Sequence, residues 1–153
     1  MTEQELRGLV SRLAEEGAWR ALVHEDPDHR RFERLLLDDD VDVWVLSWMQ
    51  FHDTGYHDHD ASCGAVAVVV GEVVEEQLTI GGTPLRTTRR AGETFSFDPS
   101  RVHRMHNETP SLAVSIHAYS PPLTRLGAYV IEADGTLRRL TQTGDSELAP
   151  LTA

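Results

Sequence analysis

Two histidines one residue apart, His57 and His59, lie in the stretch GYHDHDASCG at residues 55–64. Positions i and i+2 of a strand project from one face, so both imidazoles can converge on a single ion. Imidazole suits borderline metals such as iron, zinc and copper. An isolated pair of this kind is as readily a polar, exposed loop end, and HDHD alone does not separate the two. A second stretch, SIHAYSPP at residues 115–122, alternates Ser115, His117 and Tyr119. On one strand face the hydroxyl, imidazole and phenol would form a hydrogen-bonded row.

These side chains need a scaffold, and the composition bounds what it can be. The chain has 153 residues, 40% of them hydrophobic, which suits a single globular domain over residues 1–153 with a proper core. Its 14 basic residues face 25 acidic ones for a formal charge of −11. The basic residues fall in scattered pairs such as Arg30-Arg31 and Arg89-Arg90. A phosphate footprint needs clustered Lys and Arg, so neither nucleic acid nor an anionic membrane is expected as a partner. The lone Cys63 cannot form an internal disulfide. MTEQELRGLV has no basic segment followed by an apolar one, and no stretch reaches membrane-spanning length. A cytoplasmic protein, monomeric or weakly self-associating, is the expectation.

Thr2 and Glu5 form a capping-box pattern ahead of Leu6, Leu9, Val10 and Leu13 at helical spacing. This predicts a helix over about residues 3–17, and Trp19 and Leu22 extend it in a second short helix, giving a helical preface over 1–25. From Arg31 the period changes. FERLLL, VDVWVLSWM, GAVAVVVGEVVEEQLTI, TPLRTTRR, ETFSFD, VHRMHN, LAVSIHAYS, AYVIEA and TLRRLTQ are β-branched or aromatic runs separated by Gly, Pro and Asp-Gly turns. Such short strands leave no room for parallel crossovers, so an all-β antiparallel barrel or jelly roll is predicted over about residues 30–142. Residues 144–153 read as a loosely ordered tail. His24, His29 and His52 read as exposed, His106 as a surface histidine on the strand face opposite His103, and Trp44 as core. Cys63 reads as a small buried hydrophobe, and EDPD, LDDDVD and VVEEQ as solvated loops or strand edges.

Gly55 and Gly71 bracket the histidine pair, and Gly92 is followed by His103 eleven residues on and Asn107 four further. This resembles the two-part signature of the cupins, which implies a double-stranded β-helix and a metal held from adjoining strands. The glutamate slot of that signature is filled by Gly64, leaving a neutral ligand set of three histidines. With Ser115, His117, Tyr119 and the following Ser120-Pro121-Pro122, the chain resembles cysteine dioxygenase, the thiol dioxygenase branch of the cupins, over about residues 30–132. The resemblance implies that His57, His59 and His103 hold Fe(II). It places Tyr119 beside the oxygen site, held by His117 with Ser115 behind it, and makes the Ser120-Pro121 bond cis. FERLLL gives Arg34 the role of a fork for the substrate carboxylate, with Arg31 or Arg30 as alternatives, and Trp48 matches a tryptophan of the family's pocket. The implied reaction converts a small thiol, L-cysteine in preference to 3-mercaptopropionate, and O2 into a sulfinate; the alternatives are a dioxygenase for a biosynthetic thiol and a metal-binding cupin that senses or stores a ligand without turnover. Animal members of the family link a cysteine to the active-site tyrosine. That position is Gly64 here, and Cys63 lies one residue short, which turns it to the opposite strand face and predicts no Cys63–Tyr119 crosslink.

Overall fold

The computed structural model describes residues 1–143, so the predicted tail at 144–153 lies outside the described residues. Helix α1 spans Glu3–Glu16, and its capping box is complete: the Thr2 hydroxyl accepts from the Glu5 amide while the Glu5 carboxylate accepts from the Thr2 amide. It ends at Gly17 in the left-handed conformation, and a short 3-10 helix, Ala18–Leu22, follows.

The described residues then form eleven strands: β1 (Arg31–Leu37), β2 (Asp42–Trp48), β3 (His57–Asp58), β4 (Cys63–Val70), β5 (Glu72–Gln77), β6 (Leu85–Arg90), β7 (Thr94–Phe97), β8 (His103–His106), β9 (Ala113–Ser120), β10 (Arg125–Ile131) and β11 (Leu137–Thr143). They form two antiparallel sheets, ordered β1-β2-β9-β4-β7 and β11-β10-β3-β8-β5-β6. This is the jelly-roll form of a double-stranded β-helix. The run GAVAVVVGEVVEEQLTI, one unit by composition, divides at Gly71 (φ +66°), where the chain passes from the first sheet to the second. A Cβ there would meet the Leu112 carbonyl oxygen at 2.6 Å, so both the turn and the close approach require glycine.

The two faces of the first sheet carry two cores. Its inner face, with Trp44, Leu46, Trp48, Val66, Val68 and Tyr119, packs against Val73, Met105, Leu126 and Ala128 of the second sheet. Its outer face, with Val43, Val45, Ala65, Ala67, Val114, Ile116 and Ala118, is covered by Leu6, Val10 and Trp19. Strands β2 and β9 are therefore buried along their whole length. That is why their sequences show no clean polar alternation. Leu6 and Val10 are fully enclosed, and burial of such side chains contributes about 1.5–3 kcal/mol each. The helical preface thus seals the sheet that carries the Ser115, His117 and Tyr119 row.

Candidate metal centre

The second sheet supplies the three histidines. His57 on β3 is directly opposite His103 on β8, and His59 follows β3 by one residue. The three side chains are buried, and one ligand nitrogen from each lies within 4.8 Å of the others. Their ring centroids are 4.9–5.1 Å apart. Buried imidazoles gathered at this spacing suit a borderline metal ion. Two of the rings have their tautomers set by partners that can only accept. His57 Nδ1–H donates to the Gly55 carbonyl at 2.9 Å, and His103 Nδ1–H donates to the Glu75 carboxylate at 2.8 Å. In both, Nε2 is the nitrogen left to act as a ligand. Burial pulls His103 down to about 4, further than the Glu75 hydrogen bond raises it, so the imidazole is neutral at physiological pH.

Asp58, between the two clustered histidines, ties this segment to the neighbouring strands. Its carboxylate accepts from the Gly127 amide at 3.1 Å, the Tyr129 hydroxyl at 2.7 Å and the Arg139 guanidinium at 2.8 and 2.9 Å. Burial acts to raise its pKa, but the hydrogen bonds from Arg139 and Tyr129 outweigh it and hold the group well below the usual carboxylate range.

The first sheet supplies the row. Trp48 Nε1–H donates to Ser115 Oγ at 2.9 Å, Ser115 Oγ lies 2.7 Å from His117 Nε2, and His117 Nδ1 lies 3.2 Å from the Tyr119 oxygen. The indole is a donor only, so it occupies a lone pair of Ser115, whose own hydrogen is left to His117 Nε2. With Ser115 donating to Nε2, neutral His117 carries its proton on Nδ1 and donates to the Tyr119 oxygen. The Tyr119 ring stacks on His59 with centroids 5.2 Å apart, which brings the row against the histidine cluster.

Gly64 and Phe97 complete the wall. Gly64 pairs with Tyr119 on one side and Phe97 on the other. The Phe97 ring fills the space that a Gly64 side chain would need, and it stacks on His59 with centroids 4.6 Å apart. Cys63 pairs with Ser120 instead, with its sulfur against the Met1 and Ser120 carbonyls at 3.4 and 3.3 Å. It packs with the core on the far side of the sheet, away from Tyr119.

Three arginines, Arg30, Arg31 and Arg34, are the candidates for the carboxylate fork. The Arg34 guanidinium lies 4.2 Å over Trp44 and pairs with the Asp42 carboxylate at 3.0 and 3.4 Å. Asp42 is itself buried, opposite Tyr119. Arg30 precedes β1, is 4% exposed, and has its guanidinium 5.2 Å over the ring of Trp48, the residue that opens the hydrogen-bonded row. Arg31 points elsewhere and pairs with Asp26 at 2.7 Å.

Three sequence expectations need correction. VVEEQ is no solvated edge at Glu75, which is 2% exposed and accepts from Arg89 at 2.7 Å as well as from His103. LDDDVD ends in the buried Asp42. His106 does face away from His103, but it is buried beneath Glu76 and Glu108, with carboxylate oxygens 3.6 Å from each ring nitrogen. His24 and His29 are exposed, His52 half-buried, and Trp44 lies in the inter-sheet core. The Ser120-Pro121 bond is cis.

Fold and site together define a cupin, a double-stranded β-helix with a histidine cluster inside. Solved structures share the architecture. An uncharacterised conserved protein with a double-stranded β-helix domain from Klebsiella pneumoniae is 17% identical, with a TM-score of 0.60, covering 82% of this chain and 96% of that one. A protein of Thermus thermophilus is 16% identical, with a TM-score of 0.60, over 67% and 93% of the two chains. An oxalate oxidase solved with the substrate analogue glycolate is 18% identical, with a TM-score of 0.52, over 62% and 52%. The family model described as cysteine dioxygenase type I matches residues 3–131, and the chain belongs to that family. Among the described residues, no helix is long and apolar enough to cross a membrane.

Proposed function

We propose that the protein is a cytoplasmic, mononuclear iron(II) thiol dioxygenase that converts L-cysteine and O2 to cysteine sulfinic acid. The observation that carries the reading is the meeting of two devices in one chain of this family: three buried histidines within 4.8 Å of one another, and a phenol row stacked against them. His57, His59 and His103 would hold iron(II), which would supply a Lewis acid for the thiol and redox chemistry for its oxidation by O2. Both oxygen atoms end on sulfur, and the thiol gives up the four electrons, so no other reductant enters.

The protein's own groups bind and orient. Tyr119, hydrogen-bonded to His117 and stacked on His59, would set its phenol oxygen where negative charge develops on oxygen. Phe97 and Trp48, both buried, keep that space dry. The carboxylate fork is placed at Arg30 on position: its buried guanidinium lies 5.2 Å over Trp48 at the head of the row, whereas that of Arg34 lies over Trp44 beside Asp42. A second reading, a dioxygenase for a thiol without a carboxylate, takes Arg34 as the fork the sequence suggests: its guanidinium already has a carboxylate partner in Asp42.

Anaerobic loading with iron(II), followed by O2 uptake with L-cysteine, 3-mercaptopropionate and cysteamine, tests the function, with His103→Ala as the control. Stoichiometric uptake with L-cysteine, absent in the control, is the expected result. Uptake only with cysteamine selects the second reading, and no uptake with any of the three thiols at full iron occupancy refutes both. Arg30→Gln raises KM for L-cysteine about tenfold or more, in keeping with about 1.5–3 kcal/mol for a charge-assisted hydrogen bond, and leaves cysteamine unchanged. Arg34→Gln producing that pattern instead would return the fork to Arg34.

A further inference from the structure

We infer that Glu75 is a positioning residue of the metal site, the partner that makes His103 a ligand different in kind from His57. The inference rests on the metal-site reading above. No ligand signature points to Glu75, which lies in the strand run VVEEQ. In the fold it follows Val73 at i+2 on β5, and Val73 belongs to the inter-sheet core, so Glu75 turns inward with it.

A carboxylate that is 2% exposed needs strong compensation. Glu75 accepts from His103 Nδ1 at 2.8 Å and from Arg89 at 2.7 Å, with the Arg101 guanidinium at 3.5 Å. Arg89 and Arg101 are themselves held over aromatic rings, at 4.2 Å from Phe95 and 5.9 Å from Phe97. The arrangement runs from guanidinium to carboxylate to imidazole and ends at the cluster.

Two consequences follow. The carboxylate cannot donate, so His103 carries its proton on Nδ1 and keeps Nε2 available. A charged acceptor also draws on the Nδ1 proton more strongly than a carbonyl does, which raises the basicity of Nε2. His57 Nδ1 faces the Gly55 carbonyl in the corresponding position. His103 is therefore the stronger donor of the two.

The test uses the full chain and Co(II), a spectroscopic probe that needs no turnover. Glu75→Gln keeps the side-chain shape but can present either a donor or an acceptor to His103. It is expected to weaken Co(II) binding about 10- to 100-fold, to shift the visible Co(II) absorption bands, and to admit the Nε2–H tautomer of His103 in nitrogen-15 NMR of the apoprotein. Arg89→Met keeps a stem over Phe95 and leaves the carboxylate in place, so it is expected to hold the tautomer and alter affinity by less than about threefold. If Glu75→Gln fails to fold, Glu75→Gln with Arg89→Met removes the carboxylate together with its nearer guanidinium, and the same three readouts apply.

Wild-type affinity, bands and tautomer in the Gln variant would overturn the inference and reduce Glu75 to an anchor for two arginines. A wild-type protein that binds no Co(II) or Fe(II) would overturn the metal site and the inference together. Tight Co(II) binding that Glu75→Gln weakens, in a protein that oxidises no thiol, would uphold the inference while refuting the proposed function.

Discussion

Replacing Gly64 with alanine tests whether the wall of the site is packed as tightly as the distances imply. A Cβ on Gly64 would lie 2.3 Å from Phe97 Cζ and 2.5 Å from Cε2. Carbon atoms rest at roughly 3.5 Å or more, so the ring must retreat about 1.2 Å. It has little room to do so, since it stacks on His59 at 4.6 Å and meets His103 at 4.8 Å between centroids. Overpacking of this kind costs about 1–3 kcal/mol. The substitution also restricts the unfolded chain, which returns about 0.4–1 kcal/mol, and Gly64 needs no left-handed backbone that alanine would resist. The clash wins, and a net loss of about 1–2 kcal/mol is expected.

Urea unfolding of the apoprotein reads that loss as a lower midpoint at unchanged slope. The displaced ring would also press on two of the proposed ligands, so Co(II) affinity should fall with stability. Phe97→Leu removes the atoms that clash. Alone it destabilises, but with Gly64→Ala it should recover about 1 kcal/mol relative to the sum of the single changes. A variant as stable as wild type, or a pair of changes that add within about 0.5 kcal/mol, would show that the wall yields and refute the reasoning.

The polarity of the phenol row is open to measurement in the apoprotein. Nitrogen-15 NMR should find His117 protonated on Nδ1, and Ser115→Ala should abolish that preference while Ser115→Thr keeps it; an Nε2–H tautomer in wild type would refute the polarity. The Asp53–Arg104 pair sets an acid limb to stability. Burial acts to raise the Asp53 pKa, but the Arg104 and Gly55 hydrogen bonds hold it below the usual value, so as pH falls the unfolded chain takes up the proton first. Its contribution is full above about pH 4 and is lost below, worth about 1 kcal/mol once the exposure of both side chains is allowed for. Asp53→Asn should lower stability at neutral pH and flatten the loss below about pH 4, and an unchanged acid limb would count against the pair.

The parts of the molecule legible in sequence are those where one side-chain pattern has one structural meaning. Thr2 and Glu5 specify the start of α1 because each satisfies the other's free amide. Ser115, His117 and Tyr119 specify a strand face because only a period of two aligns them. The extra strand β3 and the division at Gly71 were less legible. A two-residue strand has too little pattern to register, and an unbroken apolar run hides a change of sheet that only the backbone reveals.

The misread acidic runs have a common physical cause. LDDDVD and VVEEQ look solvated because a carboxylate in a charged run is normally at the surface. Asp42 and Glu75 are buried because each has an arginine that comes from outside its own run: Arg34 from β1, and Arg89 from β6. A buried charge is tolerable only when paired, and the pairing is a tertiary fact that no local window contains. What the local window does contain is phase. Glu75 is two residues from the core valine Val73, and Asp42 is two from the core tryptophan Trp44. On a strand that separation assigns the same face, and a strand face committed to the core forces any carboxylate on it to find a cation or a histidine. Phase against the nearest core residue, and not the charge of the run, is what distinguishes Glu75 from its neighbour Glu76, which faces the outer surface with Arg86 and Arg104.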